Sequence, residues 1–249
     1  MNSLIKKDVG LEEKLGNRSS NKLDEVKRLK VESKSGLGVA IVLFEEYLPL
    51  GAFSDGAIRS LKCRLPVLNS QEIYSFMAVA NTYDQSDYFM EARDLLINHI
   101  LSKSFDYGNN DFVLDFQNHD ACKLLMKSDV ENQFRAEIMA KEFAFNFNNY
   151  ANIDIVAKGN KFFNCGIDLK DSKVAFHGLV YNVAWRSNNS EFEFYGKINS
   201  DHVGSDSKNC IYRTDAKSNI DILKKSVSRG NRIVFVDNGV EEIVRDYAD

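Results

Sequence analysis

From Val174 to Trp185 the chain reads VAFHGLVYNVAW. Leu179, Tyr181, Val183 and Trp185 fall on alternate positions, Val174 and Phe176 hold the opposite phase, and Gly178 lies between the two sets. Alternation of period two marks a half-buried strand, and a glycine at the change of phase marks a bulge that flips the facing. The pattern predicts one long, bent strand. After the polar turn 186–190, Glu191-Phe-Glu-Phe194 alternates charge and ring and continues to Ile198. This predicts a second strand with Phe192, Phe194 and Ile198 inward and Glu191, Glu193, Tyr195 and Lys197 outward. A short third strand covers Cys210 to Arg213.

Ser218 with Asp221 reads as a capping box, in which a hydroxyl and a carboxylate three residues on satisfy the free amides of a first helical turn. Ile220, Leu223 and Val227 form the stripe of one buried helix face. Gly230 suits the left-handed exit of that helix. Arg232 to Val236 is β-branched and aromatic. Asn238-Gly239 fits a type I′ hairpin turn, and Val240 to Val244 returns as the partner strand. The order is strand, strand, strand, helix, strand, strand, the order of a five-stranded OB-type barrel, with an open antiparallel sheet as the alternative.

Upstream, the apolar run from Gly38 to Phe44 predicts a central strand, followed by short strands at 52–53 and 57–65. Ser70 caps a helix over Gln71–Thr82, and a second helix covers Asp87–Lys103. FVLDF, 112–116, is a strand, and Asp120 to Phe147 carries apolar residues at helical intervals. The fold class expected is therefore α+β, in three parts. Residues 1–36 are a flexible charged tail, 37–158 a mixed α/β domain, and 159–249 a β-rich OB-like domain, barrel or open sheet. Residue identities display no internal repeat.

Composition narrows the class. The 249 residues are 44% hydrophobic, enough for a packed core, and the net charge is −4. No apolar run has the length of a membrane span or of a secretory leader, so a cytoplasmic protein with no membrane partner is expected. Cys63, Cys122, Cys165 and Cys210 are too far apart for a zinc knuckle or a redox pair and read as free thiols.

Candidate chemistry is sparse. His119, Asp120 and Cys122 lie close together, but no second cluster completes a metal site. No nucleophile elbow and no phosphate loop is present. The N-terminal element order is similar to an RNase H-like core, in which carboxylates hold two metal ions. Glu46, Asp55, Glu72, Asp115 and Asp120 are on offer, but the first strand has no interior aspartate. That reading implies a metal-dependent nuclease or an inactive relative, and ranks third. No cofactor is expected, and binding is favoured over catalysis.

The leading expectation is nucleic-acid binding, of single-stranded DNA or RNA. Between Lys208 and Arg232 seven basic residues (Lys208, Arg213, Lys217, Lys224, Lys225, Arg229 and Arg232) face two acids, Asp215 and Asp221. Trp185, Tyr195 and Tyr212 lie nearby, with Arg186 and Lys197 beside the first two. A basic groove with stacking rings is how single strands are held. The alternative is a structural or assembly protein, such as a subunit of a viral or mobile-element complex, acting through self-association.

Overall fold

The computed structural model describes residues 35–47, 55–82, 87–116, 122–127, 133–148, 152–200 and 202–246. The charged tail expected over 1–36 lies outside them but for its last two residues. Four helices come first: α1 (Gly36–Tyr47), α2 (Asp55–Arg64), α3 (Ser70–Ala80) and α4 (Asp87–Asp106). Eight strands follow: β1 (Asp111–Phe116), β2 (Cys122–Lys127), β3 (Phe134–Asn148), β4 (Ile153–Phe163), β5 (Lys173–Tyr181), β6 (Glu191–Phe194), β7 (Ile211–Thr214) and β8 (Arg232–Asp237). Helix α5 (Lys217–Ser226) lies between β7 and β8, and β9 (Val240–Arg245) closes the series.

Every pairing from β1 to β8 is parallel, in the order β1-β3-β4-β5-β6-β7-β8, with β2 also on β3; only β9 is antiparallel. Phe134 pairs with Ile153, Asp154 with Lys173, Lys173 with Glu191, Glu191 with Ile211, and Ile211 with Arg232. Each rung therefore takes 18 to 21 residues. This is a parallel β-solenoid, in which each rung buries its apolar side chains against the rungs before and after it. It overturns the expected α+β class with its OB-like domain. Strand β4 pairs with β3 through residues 158 and 159, while its pairing with β5 shifts register between Lys158 and Lys161.

The rungs do carry a repeat. At one corner Asn152, Asp171, Asn189, Asn209 and Gly230 all have positive φ, between 49° and 78°. Asn, Asp and Gly adopt this left-handed conformation most readily. The next residue in each of the later rungs turns inward and is small and polar. Ser172 Oγ accepts from the Ile153 N–H at 3.1 Å, Ser190 Oγ from that of Ser172 at 3.2 Å, Cys210 Sγ from that of Ser190 at 3.5 Å, and Asn231 Oδ1 from that of Cys210 at 2.8 Å. This internal ladder satisfies amides that the corner withdraws from the sheet. The apolar interior stacks in the same way: Phe176 lies 6.2 Å from Phe145 and 5.7 Å from Phe194, with rings near parallel.

Where the chain bends between faces, Ala140, Gly159, Gly178 and Gly196 form another column. A Cβ on Gly159 would sit 1.9 Å from the Ala140 oxygen, one on Gly178 2.1 Å from the Gly159 oxygen, and one on Gly196 2.2 Å from the Gly178 oxygen. Gly178 lets rungs touch, but the expected change of phase does not occur there: Val174, Phe176 and Val180 are all fully buried, and Leu179 and Tyr181 only partly.

The helices cap the first rung. Ser70 Oγ donates to the Asp111 carbonyl, and Asn81 Nδ2 to that of Asp115 at 3.1 Å, covering the edge of β1. On β2, Asp94 accepts the Lys123 N–H at 2.8 Å, and Asn98 accepts that of Leu125 at 2.8 Å. Side chains thus replace the missing strand, and an otherwise open edge is closed. Helix α3 is itself capped by a box formed from Asn69 and Glu72, one residue before the expected Ser70.

Several other expectations are corrected. Gly38–Phe44 is not a strand but part of α1. Leu37, Ala40, Ile41, Leu43, Phe44 and Tyr47 bury one helical face while Val39 and Val42 stay exposed. A short apolar run does not by itself separate the two periods. Residues 57–64, expected as strand, lie in α2. Without these strands the RNase H-like order disappears. Within Asp120–Phe147 the described residues form β2 and β3 in place of a helix. Phe134 and Ile138, four apart, fit both periods, but buried Ala136 and Ala140 between and beyond them fix period two. Helix α5 begins after Ala216 with no side-chain cap, so Ser218 and Asp221 form no capping box.

His99 on α4 supplies a pH test. Burial, and then the charge of Lys62, hold its imidazole down to about 4. Its Nε2 has no hydrogen-bond partner among the described residues. An unfolded histidine takes up its proton near 6.5 while the folded one stays neutral, so stability is full above that pH and falls on acidification towards 4. The loss is on the order of 2 kcal/mol, allowing for partial exposure of the ring. Thermal midpoints read between pH 7 and 4.5 should fall less steeply in His99→Gln; equal slopes would remove the assignment.

Candidate interaction surface

The outward face of the parallel sheet repeats every second residue and stacks in columns. In-register parallel strands bring side chains of successive rungs together, so like charges repel and opposite charges attract. Arg135 pairs with Asp111 at 2.7 Å, Lys158 with Glu137 at 2.6 Å, and Lys161 with Glu142 at 2.8 Å. Lys173 reaches Glu193 at 2.8 Å and Glu191 at 3.5 Å, and Arg213 bridges Glu191 and Glu241. Most of these pairs are well exposed and screened by solvent, so each contributes little to stability. Their larger effect is to leave the face electrically balanced.

The twelve residues expected to hold nucleic acid are distributed over several parts of the solenoid. Tyr212 lies in the core, fully buried and stacked 5.5 Å from Phe192, because it shares the inward phase of Phe192. No base can reach it there. Burial raises its hydroxyl pKa. Tyr195 lies on the outward phase, 46% exposed. It stacks 4.5 Å from His177 and donates to Glu193 at 2.7 Å, a bond that pushes its hydroxyl up to about 12. Trp185 stands at a corner, 39% exposed, and donates to Asp206 at 3.1 Å. The Arg186 guanidinium lies 4.4 Å over the Trp185 ring and is bonded to Asp168 at 2.6 Å.

Lys197 is exposed just past the glycine column, and Lys208 just before the left-handed corner. Arg213 is held by its two glutamates, and Arg232 by Asp246 at 2.9 Å. Lys217 approaches the Phe235 ring at 5.7 Å. Lys224 and Lys225 are exposed on the last turn of α5, and Arg229 lies in the loop after it. The structure therefore brings Trp185 together with Arg186, and groups Lys224, Lys225 and Arg229 near the C-terminal end. Asp206, which accepts from Trp185, also donates its N–H to Ser228 Oγ at 2.7 Å, next to Arg229.

Of the carboxylates considered for metal chemistry, Glu46 forms a two-pronged ion pair with Arg64, and Glu72 caps α3. Among the described residues no group of three or more His, Cys, Asp or Glu is placed to hold a metal ion. His119 and Asp120 lie outside them. A shallow groove of about 480 Å³ follows the left-handed corner, lined by Asn152, Asp154, Asp171, Lys173, Asn189 and Glu191 among others. Its lysine is already paired with glutamates. No helix of the described residues is long and apolar enough to cross a membrane.

The thiols separate by environment. Burial raises both Cys165 and Cys210, while Cys63 is exposed. Only thiolates react readily. A thiol reagent should label Cys63 in the native protein and reach Cys165 and Cys210 only on unfolding, as peptide mapping would show. Rapid native labelling of Cys165 would contradict this packing.

Sequence reasoning misses the last strand as a surface. Hairpin β8–β9 forms as expected, with Asn238 and Gly239 at φ 49° and 82°. On β9, however, Val240 is 70% and Ile243 54% exposed, and no described strand pairs with its outer edge. The alternation of VEEIVR is too irregular to announce an open strand. The described residues define a helix-capped parallel β-solenoid with an open antiparallel edge among them. The chain matches no protein-family model, no curated protein and no solved structure.

Proposed function

We propose that this chain is a structural, assembly-type protein that acts by binding protein through its C-terminal edge. The observation that carries this reading is the contrast between the two ends of the solenoid. At the first rung, Ser70, Asn81, Asp94 and Asn98 cover the strand edges. At the last, β9 presents an edge with no partner among the described residues and two exposed apolar side chains. An uncovered edge strand is a template for another strand. Light scattering over a range of concentrations tests it. Mass should rise with concentration; a strict monomer at the highest concentration would remove self-association as the mode.

Nucleic-acid binding is kept as a second reading because Trp185 and Arg186 form an exposed stacked pair. In addition, Lys208, Lys224, Lys225 and Arg229 have no carboxylate partner among the described residues. It requires binding that weakens with salt and with neutralisation of Lys224, Lys225 and Arg229. Anisotropy of a labelled single strand at low and high salt decides it: no binding, or salt-independent binding, ends this reading.

A further inference from the structure

We infer that the strand which pairs with β9 is β9 of a second copy, antiparallel, with Ile243 of both copies on the two-fold axis. This rests on the assembly reading above and narrows it to one partner and one register. The starting point is the direction of the free backbone groups. A two-residue turn at Asn238-Gly239 makes Asp237 and Val240 a hydrogen-bonded pair, so Phe235 with Glu242 is the next such pair. Val240 and Glu242 thus direct their N–H and C=O groups to β8, while Glu241 and Ile243 direct theirs away from it, to the open edge.

A second antiparallel β9 must bond to those outward groups, which leaves three registers. Placing Glu241 opposite Glu241 sets two carboxylates face to face. Placing Glu241 opposite Ile243 puts Glu242 opposite Glu242 at the axis, in the closer, non-bonded type of pair. Directly opposed like charges destabilise a sheet. The third register places Ile243 opposite Ile243. It opposes no two glutamates; Arg245, at the end of the other strand, is already held on the Val227 and Ser228 carbonyls.

That register also accounts for the apolar exposure. The side chain of Ile243 lies on the outward face, with Val234 opposite it on β8 and the Arg213–Glu241 pair beside it. In the dimer it meets its own copy and extends the balanced outer sheet across the axis. A single pair of short strands buries less than the roughly 1,200 Å² of a standard stable interface. The dimer is therefore weak and exchanges with monomer on dilution.

The isologous geometry is tested by cross-linking. In a Cys63→Ser background, Ile243→Cys should give a disulfide-linked dimer under mild oxidation, because Cα atoms of a hydrogen-bonded antiparallel pair lie about 5.5 Å apart, within disulfide reach. Val240→Cys in the same background should remain mostly monomeric. Ile243→Lys should lower the dimer fraction at least tenfold at a fixed concentration while circular dichroism and melting stay close to the parent. Mass that rises with concentration without an Ile243→Cys cross-link, or with Ile243→Lys leaving it unchanged, overturns this inference and leaves self-association through another surface. A strict monomer overturns this inference and removes self-association as the mode of the assembly reading.

Discussion

Gly178→Ala should unfold the protein at a markedly lower denaturant concentration, by about 3 kcal/mol or more. The added methyl would stand 2.1 Å from the Gly159 carbonyl oxygen. The obstacle is main chain, so no side chain can turn aside to admit it. Adjacent strands sit at a spacing of about 4.8 Å fixed by their hydrogen bonds, and moving one rung breaks its bonds to two others. Gly239→Ala is the control. Gly239 also has a special conformation, with φ 82°, but nothing lies within 4 Å of the place a Cβ would take there. Its cost is the left-handed strain alone, about 1 kcal/mol. Urea titrations of both variants should give midpoints in that order. Similar midpoints would mean that the glycine column does not hold the rungs at this distance.

Asn219→Ala should cost about 3 kcal/mol, from backbone groups left unpaired in the interior. Asn219 is fully buried in the first turn of α5. Its Oδ1 accepts from the Ile198 N–H at 3.0 Å, and its Nδ2 donates to the Gly196 carbonyl at 2.8 Å and to Thr214 Oγ1 at 2.9 Å. Gly196 ends the glycine column, and this one side chain supplies the bonds that a further rung would have made. Together with the Asn231 side chain at the end of the serine ladder, it terminates the solenoid from within. Chemical denaturation followed by far-UV circular dichroism should show a lower midpoint with an unchanged slope. A change below about 0.5 kcal/mol would reassign the capping to α5 as a whole.

Much of the local structure can be read from the residues, and little of its assembly. Asn238-Gly239 announces its hairpin because both residues accept positive φ. Simple alternation places Phe192, Phe194 and Ile198 inward and Tyr195 outward. The same alternation serves parallel and antiparallel pairing alike, so it does not distinguish a solenoid from a barrel. The polar stretch 186–190 reads as a turn, and is a corner that carries the chain on to the next rung in parallel. The repeat is hidden by rung lengths that vary from 18 to 21 residues and by chemical variation within one column, Asn, Asp, Asn, Asn and Gly at the left-handed corner. What those residues share is a backbone conformation.

For the candidate site the balance is similar. The exposure of Tyr195 follows from phase, but that of Trp185 does not, since Val183 two residues earlier is fully buried and β5 ends at Tyr181; nor does the pairing of Arg213 with Glu191 on β6 and Glu241 on β9, which only the stacking of the strands brings close. The burial of Tyr212 escapes the pattern because a four-residue strand offers too few positions to fix which face is inward. The open edge of β9 depends on what lies beside a strand, which local sequence does not record.

The parallel register is tested most directly by pairing cysteines across rungs. Ala175 and Glu193 are register partners on β5 and β6, whereas Ala175 and Glu191 are offset by two residues. In a Cys63→Ser background, Ala175→Cys with Glu193→Cys should form an intramolecular disulfide under mild oxidation, identified by mass spectrometry of the linked peptides. Ala175→Cys with Glu191→Cys should form far less. Equal yields, or a link in the offset pair alone, would contradict the solenoid.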